Sequence, residues 1–273
     1  MPEPMIEVTP TRNWRPFSRA RLRDAIGPSN PLYDILEREM FQDVYKFVDD
    51  DFITSLDTTF WTASNSGGAG VANFARQAGA TGVACGVIQG DGGTDADGDA
   101  RLFGTSNLTV TGNRRPILFG RIGHQSAVTT SKFEFGLVDA VAAGAVNVKA
   151  TPTSTRADYA VIIRDTVDDV LVSMVTDGGT DAVTSVDPSP SLAAAYATQT
   201  WYTLALSVDE VRGCRYYIDG VFRGVIRSGP DATVALAPWI YTQSRTTASR
   251  TFRVDYVTGW AERVPFSGDA FTT

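Results

Sequence analysis

Three alternating carboxylates, Asp95, Asp97 and Asp99, are the side chains whose spacing best suits metal binding. Carboxylate oxygens presented in this way are ligands that Ca²⁺ prefers. An EF-hand loop beginning at Asp95 would need glycine at its sixth position and glutamate at its twelfth, but the chain has Ala100 and Ser106 there. We therefore expect no metal or cofactor. Asp95, Asp97 and Asp99 are the candidates should a calcium loop of another type form.

Paired carboxylates, which glycoside hydrolysis requires on either side of the scissile bond, are scarce. Beyond residue 46 the glutamates are Glu134, Glu210 and Glu262. Glu134 and Asp139 are five residues apart, which places them on opposite faces of a strand. This spacing argues against a hydrolase.

The single histidine, His124, limits other catalytic chemistry. One histidine excludes a multi-histidine metal site, and no Gly-x-Ser-x-Gly segment presents a serine nucleophile. Gly67–Gly70 lacks the Lys-Ser/Thr pair of a phosphate-binding loop. Cys85 and Cys214 are too far apart in sequence for a zinc knuckle and too few for a disulfide scaffold. We expect His124 to be a polar residue at a strand end, and we expect no enzymatic activity.

Charge is distributed unevenly along the chain, whose formal net charge is −7. Residues 1–46 contain seven basic and seven acidic side chains, so the remainder carries the whole negative excess. An acidic body argues against a nucleic-acid partner. The apolar runs are too short to span a membrane, and residues 1–25 show no apolar core of a Sec signal. We expect neither nucleic acid nor membrane as a partner.

Arginine and aromatic side chains near the N-terminus indicate a surface that binds protein. Thr9–Arg23 holds five arginines and no acid, and arginine outnumbers lysine 21 to 3 in the whole chain. The planar guanidinium suits protein interfaces, and aromatic side chains anchor them. Folding of this arm back onto its own domain is the open alternative. The predicted partner-binding residues are Arg12, Trp14, Arg15, Phe17, Arg19, Arg21 and Arg23.

One amphipathic helix is predicted at about Pro31–Tyr45. Asn30 suits an N-cap, and proline is favoured at the first helical position. Apolar residues then recur every four positions, at Leu32, Leu36, Met40 and Val44. The chain thus divides into an N-terminal arm and helix, 1–46, and a second domain, 47–273.

After about Lys46, period-two alternation replaces the helical period. The predicted strands are Val83–Ile88, Asn107–Thr111, Ile117–Ile122, Lys132–Leu137, Tyr159–Arg164, Val170–Val175, Trp201–Val208, Cys214–Ile218, Val221–Ile226, Val234–Tyr241 and Arg250–Val257. Many short strands separated by turn residues predict an all-β antiparallel sandwich or barrel.

Turn chemistry explains the repeated hexapeptide Asp-Gly-Gly-Thr-Asp-Ala, found at 91–96 and 177–182. Each copy follows one predicted strand and precedes another, and its glycines tolerate positive φ. The residues flanking the two copies differ, so a duplicated domain is not indicated. We predict that both copies are hairpin connections. Asp219-Gly220 is the strongest two-residue hairpin signal in the chain.

Several segments resemble the concanavalin A-like lectin/glucanase (laminin-G-like) jelly roll. They are Trp201–Val208 with Arg215–Val225 as late strands, Phe252–Trp260 as the closing strand, and Val48–Phe52 with Phe60–Trp61 as opening strands. The resemblance spans about Phe47–Val264 and implies an antiparallel jelly-roll sandwich. The glucanase motif Glu-x-Asp-x-x-Glu and a clear legume-lectin metal set are absent. Hydrolase activity and calcium-dependent sugar binding are therefore not implied.

An arm, one short helix and such a jelly roll are together similar to tailed-bacteriophage virion proteins. This architecture implies a capsid decoration or other head-associated protein, made in the host cytoplasm and located in the phage particle. Its expected partners are the major capsid protein or other virion proteins, and further copies of itself in a homo-oligomer. The alternative is a carbohydrate-binding module of a tail or head fibre, which binds a surface glycan through Trp239, Tyr241 or Trp260.

Overall fold

The computed structural model describes most of the sequence between residues 44 and 262. Its residues are 44–52, 56–77, 86–96, 98–125, 128–140, 146–147, 153–154, 157–164, 170–177, 191–195, 197, 199–208, 213–226 and 229–262. The predicted partner-binding residues between 12 and 23 lie outside this part, as does the predicted helix up to residue 43.

Strands make up nearly all of the regular structure in the described residues. They are β1 Val44–Asp50, β2 Trp61–Ser66, β3 Val71–Arg76, β4 Ile88–Gly92, β5 Asp99–Gly104, β6 Val110–Thr111, β7 Ile117–His124, β8 Ser131–Val138, β9 Val146–Asn147, β10 Thr153–Ser154, β11 Asp158–Arg164, β12 Val170–Asp177, β13 Ser191–Ala195, β14 Trp201–Val208, β15 Cys214–Ile218, β16 Val221–Ile226, β17 Ala235–Ser244 and β18 Thr251–Glu262. Short 3₁₀ helices occupy Ser106–Leu108, Gly112–Arg114 and Val128–Thr130. None of the described helices is long and apolar enough to cross a bilayer.

Two large antiparallel sheets form the sandwich. Sheet A has the order β16-β15-β14-β7-β18-β4-β3, with β1 also paired to β18. Sheet B has the order β13-β12-β11-β8-β17-β5-β2, with β6 paired to β17. Sequential strands pair at the edges of both sheets, as in β14-β15-β16 and β11-β12-β13, whereas the central neighbours are far apart in sequence, with β7 beside β18 and β8 beside β17. This is the all-β antiparallel sandwich that the alternation predicts.

The main hydrophobic core lies between the two sheets. Leu118 and Ile122 of β7 alternate inward from sheet A, and Phe133 and Phe135 of β8 alternate inward from sheet B; all four side chains are fully buried. Complete burial of side chains of this size contributes about 1.5–3 kcal/mol each. The predicted alternation thus identifies the residues that hold the sheets together.

Strands β8 and β11 are buried on both faces, which the alternation alone does not predict. Every side chain from Ser131 to Val138 and from Asp158 to Arg164 is buried. Lys132 and Glu134, the polar residues of the alternating pattern, are included. The outer face of sheet B is therefore also closed to solvent at its centre.

Strand β1 takes the place of the last residues of the predicted helix. Val44 and Tyr45 pair with Glu262 and Ala261 of β18, so the helix prediction is wrong for these two residues. Local periodicity is a weak guide where tertiary pairing offers a sheet edge. The strand also begins before residue 47, at which the sequence suggested a domain boundary.

The predicted strand Asn107–Thr111 is wrong in its first residues. A 3₁₀ turn covers Ser106–Leu108, and only Val110–Thr111 form a strand. The amide side chain of Asn107 donates to the Thr59 carbonyl oxygen at 3.0 Å, which satisfies it in a turn rather than a ladder. The Asn107 backbone amide also donates to the Thr105 hydroxyl at 3.4 Å, a local side-chain hydrogen bond of the kind that competes with regular structure.

The first Asp-Gly-Gly-Thr-Asp-Ala copy is a turn, but it is not a hairpin connection. It leaves β4 in sheet A and leads to β5 in sheet B, so it crosses between the sheets. Asp91 accepts a hydrogen bond from the Gly93 amide at 2.7 Å, and the Thr94 amide donates to the Ala69 carbonyl at 3.0 Å. Of the second copy, Asp177 ends β12 and residues 178–182 lie outside the described part.

Two glycines with positive φ allow the turn chemistry to be tested by a matched pair of variants. Gly93 (φ 69°) and Gly220 (φ 75°) differ in their surroundings: a Cβ at Gly93 would lie 2.6 Å from Val71, whereas one at Gly220 would meet nothing within 4 Å. Asp219 (φ 50°) precedes Gly220, as the primed hairpin turn requires. We expect Gly220→Ala to cost about 1–2 kcal/mol of unfolding free energy. Gly93→Ala should cost a further 1–3 kcal/mol or so, because the added methyl overpacks the crossing.

Urea unfolding of the two alanine variants beside the parent chain measures this difference. Equal losses at both positions would contradict the close packing of the crossing between the sheets.

Candidate functional site

The centre of the outer face of sheet B carries a cluster of polar and aromatic side chains, here called the outer cluster: Lys132, Glu134, Trp239, Tyr241 and Phe103. Lys132 Nζ lies 2.7 Å from Glu134 Oε1, and neither side chain is exposed to solvent. The indole of Trp239 donates to Glu134 Oε2 at 2.8 Å. Trp239 stacks on Tyr241 with ring centroids 5.7 Å apart, and Phe103 meets Trp239 edge-on. The outer cluster is therefore a packed, internally bonded layer.

Strand register brings these residues together from distant parts of the sequence. Tyr241 of β17 lies opposite Glu134 of β8 on one side and opposite Arg101 of β5 on the other. Two residues further along β17, Gln243 lies opposite Lys132 of β8. Because side chains on one face repeat every second residue, these pairs form neighbouring rows on the outer face.

Charges in the outer cluster are paired within the protein. The Lys132 ammonium also lies 5.2 Å from the centre of the Tyr241 ring, a cation–π distance. Burial raises the pKa of the Tyr241 phenol, and the nearby carboxylates of Asp99 and Glu134 raise it further. Tyr241 therefore stays protonated and neutral at physiological pH.

The position of Glu134 does not suit a catalytic role in glycoside hydrolysis. Both oxygens of Glu134 accept hydrogen bonds or ion pairs from buried protein groups, Lys132 and Trp239. A general acid or nucleophile needs its carboxyl within reach of the substrate. Moving two charges from water into the protein interior costs free energy, and only close pairing with good geometry offsets this cost. This explains why Lys132 and Glu134 bond to each other.

His124 is buried in the inter-sheet core, at the end of β7. Its ring lies 5.0 Å from that of Phe252 and 5.7 Å from that of Phe133. Burial lowers its pKa to about 3, and the cationic Arg164 and Arg250 contribute to the decrease. The strand-end position agrees with the prediction, but the residue is a neutral core side chain. A histidine in this state does not act as an acid or base near pH 7.

The buried histidine predicts how stability depends on pH. An unfolded histidine has a pKa of about 6.5, whereas the folded pKa of His124 is about 3. Between these values the unfolded state binds a proton that the folded state does not, so stability falls as pH decreases from 6.5 towards 3. We expect His124→Asn to remove this contribution, about 1.4 kcal/mol per pH unit.

Unfolding free energies of parent and His124→Asn at pH 7 and pH 4.5 provide the test. The parent's advantage over the variant should shrink at pH 4.5 by roughly 2–3 kcal/mol. Because the chain has one histidine, no other imidazole complicates the comparison. An advantage that stays constant between the two pH values would contradict the neutral, buried state.

The carboxylates proposed for calcium do not come together in the described residues. Asp99 Oδ1 and Oδ2 accept hydrogen bonds from Arg101 Nε and Nη2, both at 2.7 Å. Asp95 is exposed, and Asp97 lies outside the described residues. Among the residues that the structure describes, no group of three or more His, Cys, Asp or Glu side chains could hold an ion. Asp99 is thus engaged in an ion pair within the protein.

The aromatic residues proposed for sugar binding are mostly inaccessible. Trp239 and Tyr241 belong to the buried outer cluster. Trp260, on the outer face of sheet A, is half-buried, with Lys46 5.6 Å above its ring and Phe119 packed edge-on against it. As these side chains stand, Trp239 and Tyr241 offer no platform to a ligand.

A small polar pocket lies instead at one end of the outer face of sheet A. It has a volume of about 190 Å³. Its described lining residues are Gly123, His124, Gln125, Gln199, Thr200, Trp201 and Arg253. The pocket joins the end of β7, the start of β14 and the start of β18, and no sequence pattern described above identifies it.

No family model and no curated protein sequence matches the chain. Many solved structures match its fold. The carbohydrate recognition domain of Emp47p aligns with a TM-score of 0.55 at 10% identity, over 81% of this chain and 98% of that one. The catalytic domain of an endo-1,3-beta-glucanase (laminarinase) from Thermotoga petrophila RKU-1 aligns with a TM-score of 0.55 at 9% identity, over 81% and 99%.

A third match, the protein of unknown function SO2946 from Shewanella oneidensis MR-1, has a TM-score of 0.53 at 11% identity, and covers 89% of this chain and 98% of that one. The fold is the concanavalin A-like jelly roll. Identities this low show the fold alone, and the matches include both a carbohydrate recognition domain and an enzyme's catalytic domain. The jelly roll therefore leaves the choice between binding and catalysis to the residues of this chain.

One local feature of the sequence, Gly123 within β7, could have indicated the polar pocket. Gly123 interrupts the side-chain alternation of β7 between Ile122 and His124, and a strand glycine often marks a close approach of another backbone. A Cβ there would lie 2.8 Å from the Thr200 carbonyl oxygen. The residues that accompany Gly123 can be identified only once the strand order is known.

Proposed function

We propose that the chain is a non-catalytic structural protein of a bacteriophage virion, most simply a capsid decoration protein anchored to the head by its N-terminal arm. The observation that supports the non-catalytic part of this proposal is the closed outer cluster, in which Glu134 is fully buried and bonded to Lys132 and Trp239. A carboxylate held in this way serves the rigidity of the body and not turnover.

The amino-acid composition of the N-terminal arm supports the proposal that the arm attaches the protein to the virion. The described body presents no comparably arginine-rich segment, whereas Thr9–Arg23 combines five arginines with Trp14 and Phe17. Guanidinium groups can pair with carboxylates of a neighbouring subunit, and buried aromatic residues dominate interface energies. The sister subunit or the major capsid protein is the proposed partner.

Purified particles test this proposal. Particles from a culture that produces the chain are separated on a density gradient, analysed by mass spectrometry and labelled with antibody to the chain. We expect many copies per particle, with label on the heads, and no release of sugar from β-glucans by the purified protein. Absence of the chain from the particle fraction would refute the virion role, and glucan turnover would refute its non-catalytic character.

Carbohydrate binding is a second candidate function, and the polar pocket beside Trp201 favours it. The pocket combines one half-buried indole with amide and guanidinium groups. Sites for small polar ligands commonly combine an aromatic wall with a few placed polar groups. A glycan array with the full chain tests this function, since binding to no sugar above background would remove it.

A further inference from the structure

Four strands of sheet A place one row of side chains across the polar pocket. Trp201 of β14 lies opposite Gly123 of β7, and Gly123 lies opposite Arg253 of β18. Arg253 in turn lies opposite Gln89 of β4. Gly123 in the middle of the row lacks a Cβ, and the Thr200 carbonyl oxygen and the Trp201 ring occupy the space above it, 2.8 Å and 3.4 Å from where a Cβ would lie.

Two arginines beside the pocket differ in how their charges are compensated. Arg121 forms an ion pair with Asp255, Nη1 to Oδ2 at 2.8 Å, and lies 5.1 Å from the centre of the Trp201 ring. Arg253 donates through Nε to the neutral Gln89 side chain at 3.2 Å. Within the described part of the chain, no carboxylate lies at ion-pair distance from Arg253. Partial burial lowers the pKa of Arg253, yet an arginine stays charged at physiological pH.

An uncompensated guanidinium in a half-buried position is a natural partner for an anion. Its two terminal NH₂ groups suit the two oxygens of a carboxylate. Arg121 does not compete for the same ligand, because Asp255 already neutralises it. The single positive charge of Arg253 therefore favours a ligand with one carboxylate.

The remaining lining determines the rest of the ligand. The Trp201 indole is half-buried, and the exposed residues Gln125 and Gln199 also line the pocket. The backbone N–H of Gln199 donates a hydrogen bond to the His124 carbonyl oxygen at 2.7 Å, which holds this residue beside the pocket. A volume of about 190 Å³ is below the 300–1,000 Å³ or so of pockets that enclose drug-sized ligands, so it fits one ring.

We infer that this pocket binds a single carboxylate-bearing sugar ring, with Arg253 pairing the carboxylate, Trp201 packing against the C–H groups of the ring, and the Gln125 and Gln199 amides bonding its hydroxyls. The inference rests on the second candidate function, carbohydrate binding, and specifies its ligand. The virion role does not depend on it.

Titration calorimetry of the full chain with glucuronate, glucose and acetate tests the inference. Glucuronate carries the carboxylate and the ring, glucose the ring alone, and acetate the carboxylate alone. We expect glucuronate to bind at least tenfold more tightly than either of the others. Arg253→Gln should weaken glucuronate binding about 10- to 100-fold, as expected for loss of a charged hydrogen-bonding partner.

Arg76→Gln is the matched control, since Arg76 is an exposed arginine on β3 of the same sheet, outside the pocket. It should leave glucuronate affinity within twofold, and both variants should keep the parent's melting temperature. Equal affinity for glucose and glucuronate, or unchanged affinity in Arg253→Gln, would overturn the acidic-sugar inference while carbohydrate binding itself survived. Acetate binding as tight as glucuronate would also overturn it. Binding of no sugar in either the array or the titration would overturn both.

Discussion

Replacing Lys132 by methionine should lower the free energy of unfolding by about 3–5 kcal/mol, although the two side chains have similar length. Methionine leaves the Glu134 carboxylate buried without the Lys132 ammonium, which lies 2.7 Å away in the parent protein. The cost of an uncompensated buried charge exceeds the value of the pair itself. Adding Glu134→Gln removes the charge but keeps an acceptor for the Trp239 indole, so the double variant should recover about half of the loss.

A matched control comes from the surface of the same protein. Lys46 and Asp49 form an ion pair of similar length, 2.8 Å, but their side chains are 44% and 59% exposed. Lys46→Met should therefore cost less than about 1 kcal/mol. Urea unfolding of the three variants measures these differences. If Lys132→Met were no more harmful than Lys46→Met, the outer cluster would not be the closed layer described above.

Replacing Trp14 and Phe17 together by alanine should reduce the number of copies on particles more than tenfold. Under the proposed function these side chains are interface anchors, and losing one such anchor typically costs 2 kcal/mol or more. Phe60→Ala serves as the control, because Phe60 is an exposed aromatic residue of the body, 42% exposed. Occupancy is measured by quantitative mass spectrometry of particles assembled with each variant. Equal occupancy for the arm variant and the control would exclude Trp14 and Phe17 as anchors.

Local sequence predicts the late strands of the fold well. Trp201–Val208, Cys214–Ile218 and Val221–Ile226 have the predicted bounds, because strict alternation and the Asp219-Gly220 turn are both local signals. Strand β17 and strand β18 extend beyond their predicted ends, since pairing with long neighbours continues where alternation weakens.

Other features depend on contacts that no local pattern contains. Val44 and Tyr45 fit a helical period but pair with β18, more than 200 residues later. Asp91 and Gly92 resemble turn residues but end β4, and the turn that follows joins two sheets. The sheet to which a strand belongs is decided by long-range pairing, so a turn sequence alone does not distinguish a hairpin from a crossing.

In the candidate site, too, some features follow from local sequence and others only from long-range contacts. The sequence shows that the Glu-x-Asp-x-x-Glu spacing is missing, and the structure adds that Glu134 is buried and bonded within the protein. The burial of Lys132 and Glu134 could not be predicted from the sequence, because charged residues in an alternating strand normally face water. The row Trp201–Gly123–Arg253 was not readable either, since three separate strands contribute to it.

Attachment through the arm is the central claim, and deletion of residues 1–30 tests it most directly. The truncated chain is added to particles that lack the protein, its copies per particle are counted beside those of the full chain, and its folding is checked by thermal unfolding. We predict a cooperatively folded sandwich that does not join particles. Full occupancy by the truncated chain would show that the jelly-roll body itself makes the attachment, and would contradict the proposal.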